Sequence, residues 1–342
     1  MRIAVTKDEL RVGVVGAGRM GADHVERLAH HILRARVSAV VDIDLSRAAG
    51  VARKVPGAES FASLEEMLAA DTVDAVVLAT PGFLHEEALL TLVEAGVPVL
   101  CEKPLTPDPD SSLRVMKAEA ASGSQLIQVG FMRRFDAGYR QLKRIIDSGE
   151  YGKLLMLHLQ HRNPSTPPGF TNEMIINDSV VHEFDAVRFF TDSEITSVHV
   201  RIGRVSSLAA AGIQDPQHVT VQTSSGLLAD VEIFCSAQFG YQVYAQATFE
   251  RGLVKIGDGA ELEITSEGRK GTAVDPGFVT RFRHAYDIEV QDWIDAVHQG
   301  GIAGPSAWDG YATAACCAAG VASQRGEGIV DVKLVPRPSF YS

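Results

Sequence analysis

Three ionisable residues near the middle of the chain have types and a spacing that could move a proton. Asp178, His182 and Asp185 stand at i, i+4 and i+7 within the stretch Asn177–Phe190, and on an α-helix residues so spaced line one face. Two carboxylates would then flank one imidazole, a group that takes and returns a proton near neutral pH. A capped structural helix, with Asp178 in its first turn against the helix dipole, explains the same residues. The stretch alone leaves both interpretations open.

The composition is that of an ordinary globular protein. The chain has 342 residues, 46 % of them hydrophobic and 22 % charged, which is enough for roughly two domains with sizeable cores. Its 32 basic and 43 acidic residues give a net charge of −11, which argues against a general nucleic-acid or anionic-membrane binder. The four cysteines have no CxxC spacing, so they indicate neither a disulfide framework nor a zinc cluster.

The N-terminal stretch gives an indication of the cellular location of the protein. It has acidic residues where a signal peptide would need its apolar core. No run in the chain approaches about 18 apolar residues, the length of a spanning helix. We therefore expect no membrane span and a cytoplasmic location.

A glycine-rich turn near the start has the sequence of a dinucleotide-binding loop. The strand-like run Arg11–Val15 leads into the hexapeptide Gly16–Gly21 (GAGRMG), and a helical stretch, Ala22–Ala35, follows. The next strand, Val37–Val41, ends on Asp42, which lies 21 residues after the last glycine (42 − 21 = 21). This context of strand, glycine turn, helix and a distant acid is far more specific than the glycines alone.

Each residue type in this pattern has a physical role in holding a dinucleotide. Gly16 permits the tight turn, Gly18 lets the backbone approach a pyrophosphate, and Gly21 allows close helix–strand packing. The helix N-terminus supplies free N–H donors to the phosphates. Asp42 should hydrogen-bond the adenosine ribose hydroxyls and repel a 2′-phosphate, so we expect NAD rather than NADP as the cofactor.

Strands and helices continue to alternate until about residue 130. Near-continuous apolar strands, such as Val73–Ala79, predict a doubly wound parallel sheet covered on both faces. Ligands then bind at the C-terminal ends of the strands. Those ends are Gly16–Gly21, Asp42, Thr80–His85, Glu102–Pro104 and Gly130–Arg134. Lys103 is a cation at such an end, followed by a proline, although an exposed surface lysine would look the same.

The pattern changes in the second half of the chain. From about Ile195 to Thr265, short strand-like runs are separated by glycines and polar turns, which predicts an antiparallel sheet and an α+β domain. We predict a Rossmann domain at residues 1–130 and a substrate and oligomerisation domain at residues 131–342. Whether the C-terminal helices, within residues 285–322, pack back on the first domain is left open.

Four motifs together resemble one protein family. GAGRMG, CEKP, VGFMRRFDAGY and NDSVVHEFD are similar to motifs of the Gfo/Idh/MocA oxidoreductases, and the resemblance covers nearly the whole chain. Its most specific part is the EKP of Lys103, followed 75 residues later (178 − 103 = 75) by Asp178-x-x-x-His182. GFMRRFD and HRNP point to the branch of the family that acts on inositol. The resemblance implies a Rossmann domain, and a C-terminal domain whose open, mostly antiparallel sheet pairs with other copies into a homotetramer.

The resemblance also implies roles for individual residues. The family's catalytic lysine, aspartate and histidine fall on Lys103, Asp178 and His182. Its substrate contacts fall on Arg133, His161, Asn163, Asp185 and Tyr241, with Tyr244 as an alternative to Tyr241. Its cofactor contacts fall on Gly16, Gly18, Arg19, Met20, Gly21, Asp42, Thr80, His85 and Glu102.

The resemblance implies NAD-dependent oxidation of one secondary hydroxyl of a cyclitol, with myo-inositol going to its 2-ketone in inositol catabolism. His182 would accept the hydroxyl proton, Asp178 would orient the imidazole, and Lys103 would stabilise the developing alkoxide. The same chemistry on scyllo-inositol, or at C1 of a pyranose sugar, stays open because ring hydroxyls look alike to a few hydrogen bonds. A NAD-binding regulator without turnover is a further alternative. We expect no metal, because no further ligand cluster accompanies the three central residues, and no nucleic-acid or membrane partner.

Overall fold

A computed structural model describes residues 9–257, 263–266 and 269–341. The N-terminal stretch from which we expected no signal peptide falls largely outside the described residues. The chain divides into two compact units. The first comprises the chain up to Phe131, the segment Tyr286–Ala314 and the C-terminal segment from Pro336. The second comprises Met132–Ala285 and Ala315–Val335.

The first part of the chain alternates strands and helices. The strands are β1 (Leu10–Val15), β2 (Ala35–Val41), β3 (Glu59–Phe61), β4 (Ala75–Leu78), β5 (Val99–Glu102) and β6 (Ile127–Gly130). The helices are α1 (Arg19–His30), α2 (Leu45–Ala52), α3 (Leu64–Ala69), α4 (His85–Ala95) and α5 (Pro109–Ser122). The helix predicted at Ala22–Ala35 is wrong at its C-terminal end: the chain turns through Arg34, at φ +64°, and Ala35 already begins β2.

In the described residues these six strands form one sheet, ordered β3-β2-β1-β4-β5-β6, with parallel pairings throughout. The order reverses between β1 and β4, and at such a switch point ligands bind beyond the C-terminal ends of the strands. All four residues of β4 are fully buried, as a sheet covered on both faces requires. The predicted doubly wound parallel sheet is confirmed.

Beyond residue 131 the elements change in kind. The strands are β7 (Leu154–Arg162), β8 (Ile195–Ile202), β9 (Gln217–Thr223), β10 (Leu228–Phe234), β11 (Gln242–Phe249), β12 (Leu253–Ile256), β13 (Glu263–Ser266), β14 (Arg269–Thr272) and β15 (Ile329–Asp331). The helices are α6 (Ala137–Ser148), α7 (Asn172–Met174), α8 (Val181–Thr191), α9 (Phe278–Arg281), α10 (Arg283–His298) and α11 (Ala307–Ala322). Within the described part of the chain, no helix combines the length and the apolar character needed to cross a bilayer.

Counting described strands only, the second sheet has seven, ordered β12-β11-β7-β10-β9-β8-β15. The central pair β7 and β10 is parallel, and the other neighbours are antiparallel. The predicted open, mostly antiparallel sheet is therefore confirmed. Residues alternate along β7, so Leu157, Leu159 and His161 are buried on one face, while Met156 and His158 lie on the other.

Helix α10 contributes to the core of the first unit from Tyr286 onward. Its residues Val290, Trp293 and Ile294 are fully buried and share one hydrophobic cluster with Val12 and Val14 of β1. Burial of such side chains contributes about 1.5–3 kcal/mol each. A segment distant in sequence thus completes the packing of the parallel sheet.

The segment predicted as one helix over Asn177–Phe190 is only partly α-helical. Residues Ile175–Val180 form π-helical turns, and α8 begins at Val181. Asp178 lies in these wider turns, so its offset from His182 is not that of an α-helix. The predicted α-helix is therefore wrong over residues 177–180, whereas His182 and Asp185 lie in α8 as predicted. Single π-helical turns inside helices occur frequently at functional sites.

Candidate functional site

The glycine loop between β1 and α1 is crowded at two glycines and open at the third. Gly16 has φ +97°, and a Cβ there would lie 2.7 Å from the Ala79 carbonyl oxygen. A Cβ on Gly21 would lie 1.7 Å from the carbonyl oxygen of Gly16. At Gly18 no described atom lies within 4 Å of an added Cβ. The loop needs glycine for its own packing at two positions, and at the third it leaves space for a ligand.

Asp42 stands at the C-terminal end of β2, beside this loop. Its Oδ2 accepts a hydrogen bond from the Ala17 main-chain N–H at 2.9 Å, and its Oδ1 accepts one from the Asp44 N–H at 2.9 Å. Arg47 Nη1 lies 3.3 Å from Oδ2. The carboxylate is therefore held in one orientation by the loop that it adjoins.

Arg19 and Met20 open helix α1, whose N-cap is Gly18. The N–H groups of a first helical turn have no acceptors within the helix and favour an anion. Together with the open space at Gly18 and the oriented Asp42 carboxylate, they fit the pyrophosphate and the adenosine ribose of NAD. The residues present thus suit the cofactor that the sequence predicted.

His85, at the start of α4, ties two strand ends together. It is fully buried, with Nε2 2.8 Å from the Thr80 carbonyl oxygen and Nδ1 2.8 Å from the Pro104 carbonyl oxygen. Burial lowers the pKa of His85, and a neutral ring donates from one nitrogen at a time. The neutral ring therefore donates to one of the two carbonyls at a time, while the loop after β4 and the loop that carries Lys103 both lie against this side chain.

The side chain of Glu102 contacts a histidine of helix α1. His24 Nε2 lies 2.8 Å from Glu102 Oε1, and both residues are buried. Burial opposes ionisation of Glu102, but the hydrogen bond and charge of His24, with the charge of Lys103, hold the pKa of Glu102 below its ordinary value. Glu102 is therefore ionised, and it directly precedes Lys103, which is half-buried.

In the second unit a buried ion pair joins three elements. Arg133, in the helical turn Met132–Phe135, donates to Glu183 of α8; the two residues are 2 % and 0 % exposed. Nδ1 of His161, on β7, lies 3.2 Å from Glu183 Oε2 and 3.2 Å from Arg133 Nη2. Burial by itself would raise the pKa of Glu183, but the charge of Arg133 and the hydrogen bonds of His161 and Arg133 lower it to about 2. The carboxylate is thus ionised at neutral pH.

His161 also contacts two predicted site residues through its ring. The Tyr241 ring lies edge-on at 5.9 Å and the His182 ring at 6.5 Å between centroids. All three side chains are buried. Tyr244 pairs with Gln160 in the β11–β7 register, so alternation places it on the opposite face of the sheet from His161.

Asp185 and Asn163 have other partners. Asp185 is 1 % exposed and is held by Arg134, with Nη2–Oδ1 at 2.6 Å and Nε–Oδ2 at 3.0 Å. Asn163 Nδ2 lies 3.5 Å from the hydroxyl of Ser179, which follows Asp178 in the π-helical turns. The carboxylate of Asp185 is therefore paired with a guanidinium, and Asn163 is linked to the segment that carries Asp178.

Sequence reasoning did not single out Glu183, Arg134 or His24. A signal existed for Glu183, because an acidic residue within the apolar run VVHEFDAV needs a buried partner. The i, i+4, i+7 spacing directed attention to its neighbours instead. No local pattern marks Arg134 or His24, whose partners lie 51 and 78 residues away.

The structure gathers the predicted residues into separate groups. The first unit holds the glycine loop, Asp42 and the strand end with Lys103, and the second holds Asp178, His182 and the cluster around His161. The catalytic, substrate and cofactor roles of individual residues stay predictions. Among the described residues, no group of three or more His, Cys, Asp or Glu side chains is arranged to hold a metal ion.

Comparison with known protein families gives matches in both halves of the chain. The model described as an oxidoreductase family with a NAD-binding Rossmann fold (GFO/IDH/MocA) matches residues 10–131. The model of the GFO/IDH/MocA C-terminal domain matches residues 139–255. The two matches together cover more than half of the chain.

Individual proteins are similar over nearly the full length. The inositol 2-dehydrogenase of Pseudarthrobacter chlorophenolicus is 59 % identical over 335 residues, covering 98 % of this chain and 99 % of that protein. The inositol 2-dehydrogenase of Corynebacterium glutamicum is 48 % identical, covering 97 % and 99 %. The crystal structure of myo-inositol dehydrogenase from Lactobacillus casei with NAD(H) and myo-inositol superposes with a TM-score of 0.94 at 34 % identity, covering 98 % of this chain and 100 % of that one.

Proposed function

This chain belongs to the Gfo/Idh/MocA family of NAD-binding oxidoreductases, and we propose that it oxidises myo-inositol with NAD at one secondary hydroxyl, giving the 2-ketone. The observation that carries the proposal is the 59 % identity, over 98 % of the chain, with an inositol 2-dehydrogenase. Similarity confined to the Rossmann domain would support only the cofactor, since one fold serves many reactions. Here the similarity extends through the domain proposed to bind the substrate.

NAD is proposed to lie along Gly16–Gly21 with its adenosine ribose at Asp42. Bound NAD supplies a hydride acceptor at C4 of its nicotinamide. The Asp42 carboxylate would repel the 2′-phosphate of NADP. Thr80 supports a further contact, because its buried Oγ1 has no hydrogen-bond partner within the described residues. His85 and Glu102 complete the proposed set at the ends of β4 and β5.

The proton and the developing charge are assigned to three residues. His182 accepts the hydroxyl proton, and Asp178 orients its imidazole and favours the charged form. Lys103 donates a hydrogen bond to the reacting oxygen and stabilises the alkoxide. Support for these assignments comes from the match of EKP and D-x-x-x-H to the family pattern.

The remaining hydroxyls of a cyclitol need several polar partners. Arg133, His161 and Tyr241 form one buried group, and they offer donors and an acceptor of the kinds that ring hydroxyls require. Asn163 and Asp185 are proposed to add an amide and a carboxylate. The position of Tyr241 against His161 favours it over Tyr244, which is on the other face of the sheet.

The experiment that tests this function is NADH formation, followed by absorbance, with a panel of myo-inositol, scyllo-inositol and pyranose sugars. We expect the highest kcat/KM with myo-inositol, and far lower values when NADP replaces NAD. A higher kcat/KM for scyllo-inositol or a pyranose would correct the substrate while keeping the chemistry. The absence of NADH with every compound would overturn the enzymatic proposal.

We also propose that the chain assembles as a homotetramer through the outer face of the second sheet. Leu228, Met156 and Leu253 are 51 %, 37 % and 52 % exposed. They form one row across the sheet, because Leu228 pairs with Met156, Met156 with Thr248, and Thr248 with Leu253. An apolar row on a sheet face is suited to contact with another copy, which presents the same row about a twofold axis.

A further inference from the structure

We propose that Glu183 is a positioning residue: it keeps the proton of His161 on Nδ1, which leaves Nε2 as a hydrogen-bond acceptor for a substrate hydroxyl. Glu183 is outside the set of residues carried over from the family. The second half of the proposal rests on the proposed function, because it takes His161 as a contact to the cyclitol. The first half concerns the protein alone and is tested without substrate.

Nδ1 of His161 lies beside two charged groups that require opposite protonation of this nitrogen. Oε2 of Glu183 and Nη2 of Arg133 both lie 3.2 Å from Nδ1. An ionised carboxylate only accepts hydrogen bonds and a guanidinium only donates them. A proton on Nδ1 therefore satisfies Glu183, and a bare Nδ1 satisfies Arg133. The two arrangements exclude one another.

Which arrangement forms depends on the free energy lost by the group that is left without a hydrogen bond. Within the described residues, His161 is the donor available to Oε2, and Glu183 is 0 % exposed. A buried carboxylate oxygen that faces a nitrogen lone pair loses its hydrogen bond and meets repulsion. An unbonded guanidinium N–H loses less, because the charge of Arg133 is delocalised and weakly hydrated and lies 5.7 Å from the Phe282 ring centroid. The proton accordingly lies on Nδ1.

The consequence for recognition appears at the other ring nitrogen. In the neutral ring only one nitrogen carries hydrogen, so Nε2 of His161 is an acceptor. The ring faces Tyr241 and His182, which places this acceptor among the residues proposed to bind the cyclitol. A hydroxyl there must donate to Nε2, and a group that can only accept is rejected. Glu183 thus sets a specificity rule without touching substrate.

The matched test uses Glu183→Gln. The amide oxygen can still accept from Arg133, while the amide N–H₂ faces Nδ1 of His161 and moves the ring proton to Nε2. Glu194→Gln is the control, because Glu194 accepts from Arg188 of the same helix at 2.6 and 2.9 Å and takes no part in the cluster. The ring is read by solid-state ¹⁵N spectra of histidine-labelled protein, with the His161 signals assigned from their loss in His161→Gln.

We expect the Nδ1–H tautomer for His161 in the wild type and in Glu194→Gln, and the Nε2–H tautomer in Glu183→Gln. The KM for myo-inositol should rise about tenfold or more in Glu183→Gln, since a lost hydrogen bond in a buried site has that effect, with a smaller change in kcat. In a monofluoro-deoxy inositol one hydroxyl is replaced by fluorine, which cannot donate a hydrogen bond. For at least one such compound, kcat/KM relative to that for myo-inositol should be lower in the wild type than in Glu183→Gln.

Two results would overturn the proposal. One is a Nε2–H tautomer for His161 in the wild type, which needs no variant and is independent of the folding of Glu183→Gln. The other is an unchanged tautomer and unchanged inositol KM in a folded Glu183→Gln protein. Absence of NADH from all cyclitols with the wild type would instead overturn the proposed function, while the tautomer measurement would still decide the role of Glu183.

Discussion

The carboxylate of Asp42 and the main-chain N–H of Ala17 are joined by a 2.9 Å hydrogen bond. Ala17 lies between the first two glycines of the loop after β1, and Asp42 directly follows β2, so the bond links the ends of two neighbouring strands. Asp42 is 8 % exposed, and its second oxygen is held by the Asp44 N–H. The acid expected to bind the ribose and the loop expected to bind the pyrophosphate are therefore fixed to each other.

Replacing Asp42 should change cofactor choice. Asp42→Asn keeps the shape but removes the charge, so the KM for NAD should rise about tenfold, as expected when a charged hydrogen bond is weakened. The kcat/KM for NADP should increase, because Arg47 would no longer be paired with the Asp42 carboxylate. Initial rates with both cofactors measure this, with Asp44→Asn as the control. Equal losses with NAD and NADP would contradict the role of Asp42.

Two glycines of the loop should respond in opposite ways to alanine. Gly18→Ala meets no described atom within 4 Å, so its Tm should stay close to that of the wild type while the Kd for NAD rises about tenfold, a loss of about 1.4 kcal/mol. Gly21→Ala places a methyl group 1.7 Å from the Gly16 carbonyl oxygen, and overpacking should lower the stability by about 2 kcal/mol or more. Thermal unfolding and NAD titration distinguish the two. Unimpaired NAD binding by Gly18→Ala would exclude the cofactor from this loop.

His182→Ala should affect turnover far more than cofactor affinity. Loss of a general base typically lowers kcat by about 10²–10⁴-fold, and the Kd for NAD should be little changed, because His182 is proposed to act on the substrate hydroxyl. Steady-state kinetics and NAD titration check both quantities. His199→Ala, on β8 of the second sheet, is the control histidine. An unchanged kcat in His182→Ala would remove this residue from the proton transfer.

Charges on the outer face of the second sheet should dissociate the proposed homotetramer. Met156→Glu combined with Leu228→Glu places two carboxylates in the apolar row, and burying them between copies is costly. Light scattering after size exclusion should change from about four chain masses for the wild type to a smaller species. Leu208→Glu, at a residue 57 % exposed outside the row, should leave the mass unchanged. A wild type that is already monomeric would refute the assembly.

The C-terminal segment should contribute stability that depends on pH. Glu119 is fully buried and accepts from the Tyr341 hydroxyl at 2.6 Å and from the Leu126 and Ile127 N–H groups at 2.7 Å. Burial raises the pKa of Glu119 despite these bonds, because it disfavours the ionised carboxylate. The ionised form is therefore the one that depends on the three donors for its stability. Tyr341→Phe should lower the free energy of unfolding by about 1–3 kcal/mol.

The sign of the pH effect follows from that raised pKa. Tyr341→Phe removes a donor from the charged form, which raises the folded-state pKa of Glu119 further. The loss of stability should thus be largest well above this pKa, where the carboxylate is ionised, and should shrink as falling pH protonates it. Denaturant unfolding at several pH values measures the difference between wild type and variant, with Tyr151→Phe as the control. A loss independent of pH would show that Glu119 is not the group involved.

Much of the first unit could be predicted because its signals are local. The glycine hexapeptide, the apolar strands and the acid at the end of β2 each occupy a few consecutive residues, and a parallel sheet imposes continuous apolar runs on them. The same holds for EKP and D-x-x-x-H, which carry the family resemblance. Strand–helix alternation then placed the C-terminal ends of the strands on one edge of the sheet.

The partners of buried charges were decided by the tertiary structure. Arg133 and Glu183 are 50 residues apart, and Arg134 and Asp185 are 51. No spacing rule connects such pairs, because their contact depends on how a helical turn, a helix and a strand pack. The π-helical turns before α8 likewise changed the geometry expected for Asp178, and strand register separated Tyr241 from Tyr244.

The residues Asp178, His182 and Asp185 show most clearly which features the sequence determined and which the tertiary structure decided. By itself, the sequence determined that Asp178, His182 and Asp185 lie in one largely helical segment, and that the chain before them forms a dinucleotide-binding sheet. Only the tertiary structure decided that Asp185 pairs with Arg134, and that a neighbouring carboxylate, Glu183, faces His161. The physical reason is that periodicity encodes which face of an element is apolar, whereas the satisfaction of a buried charge is settled by groups from other elements.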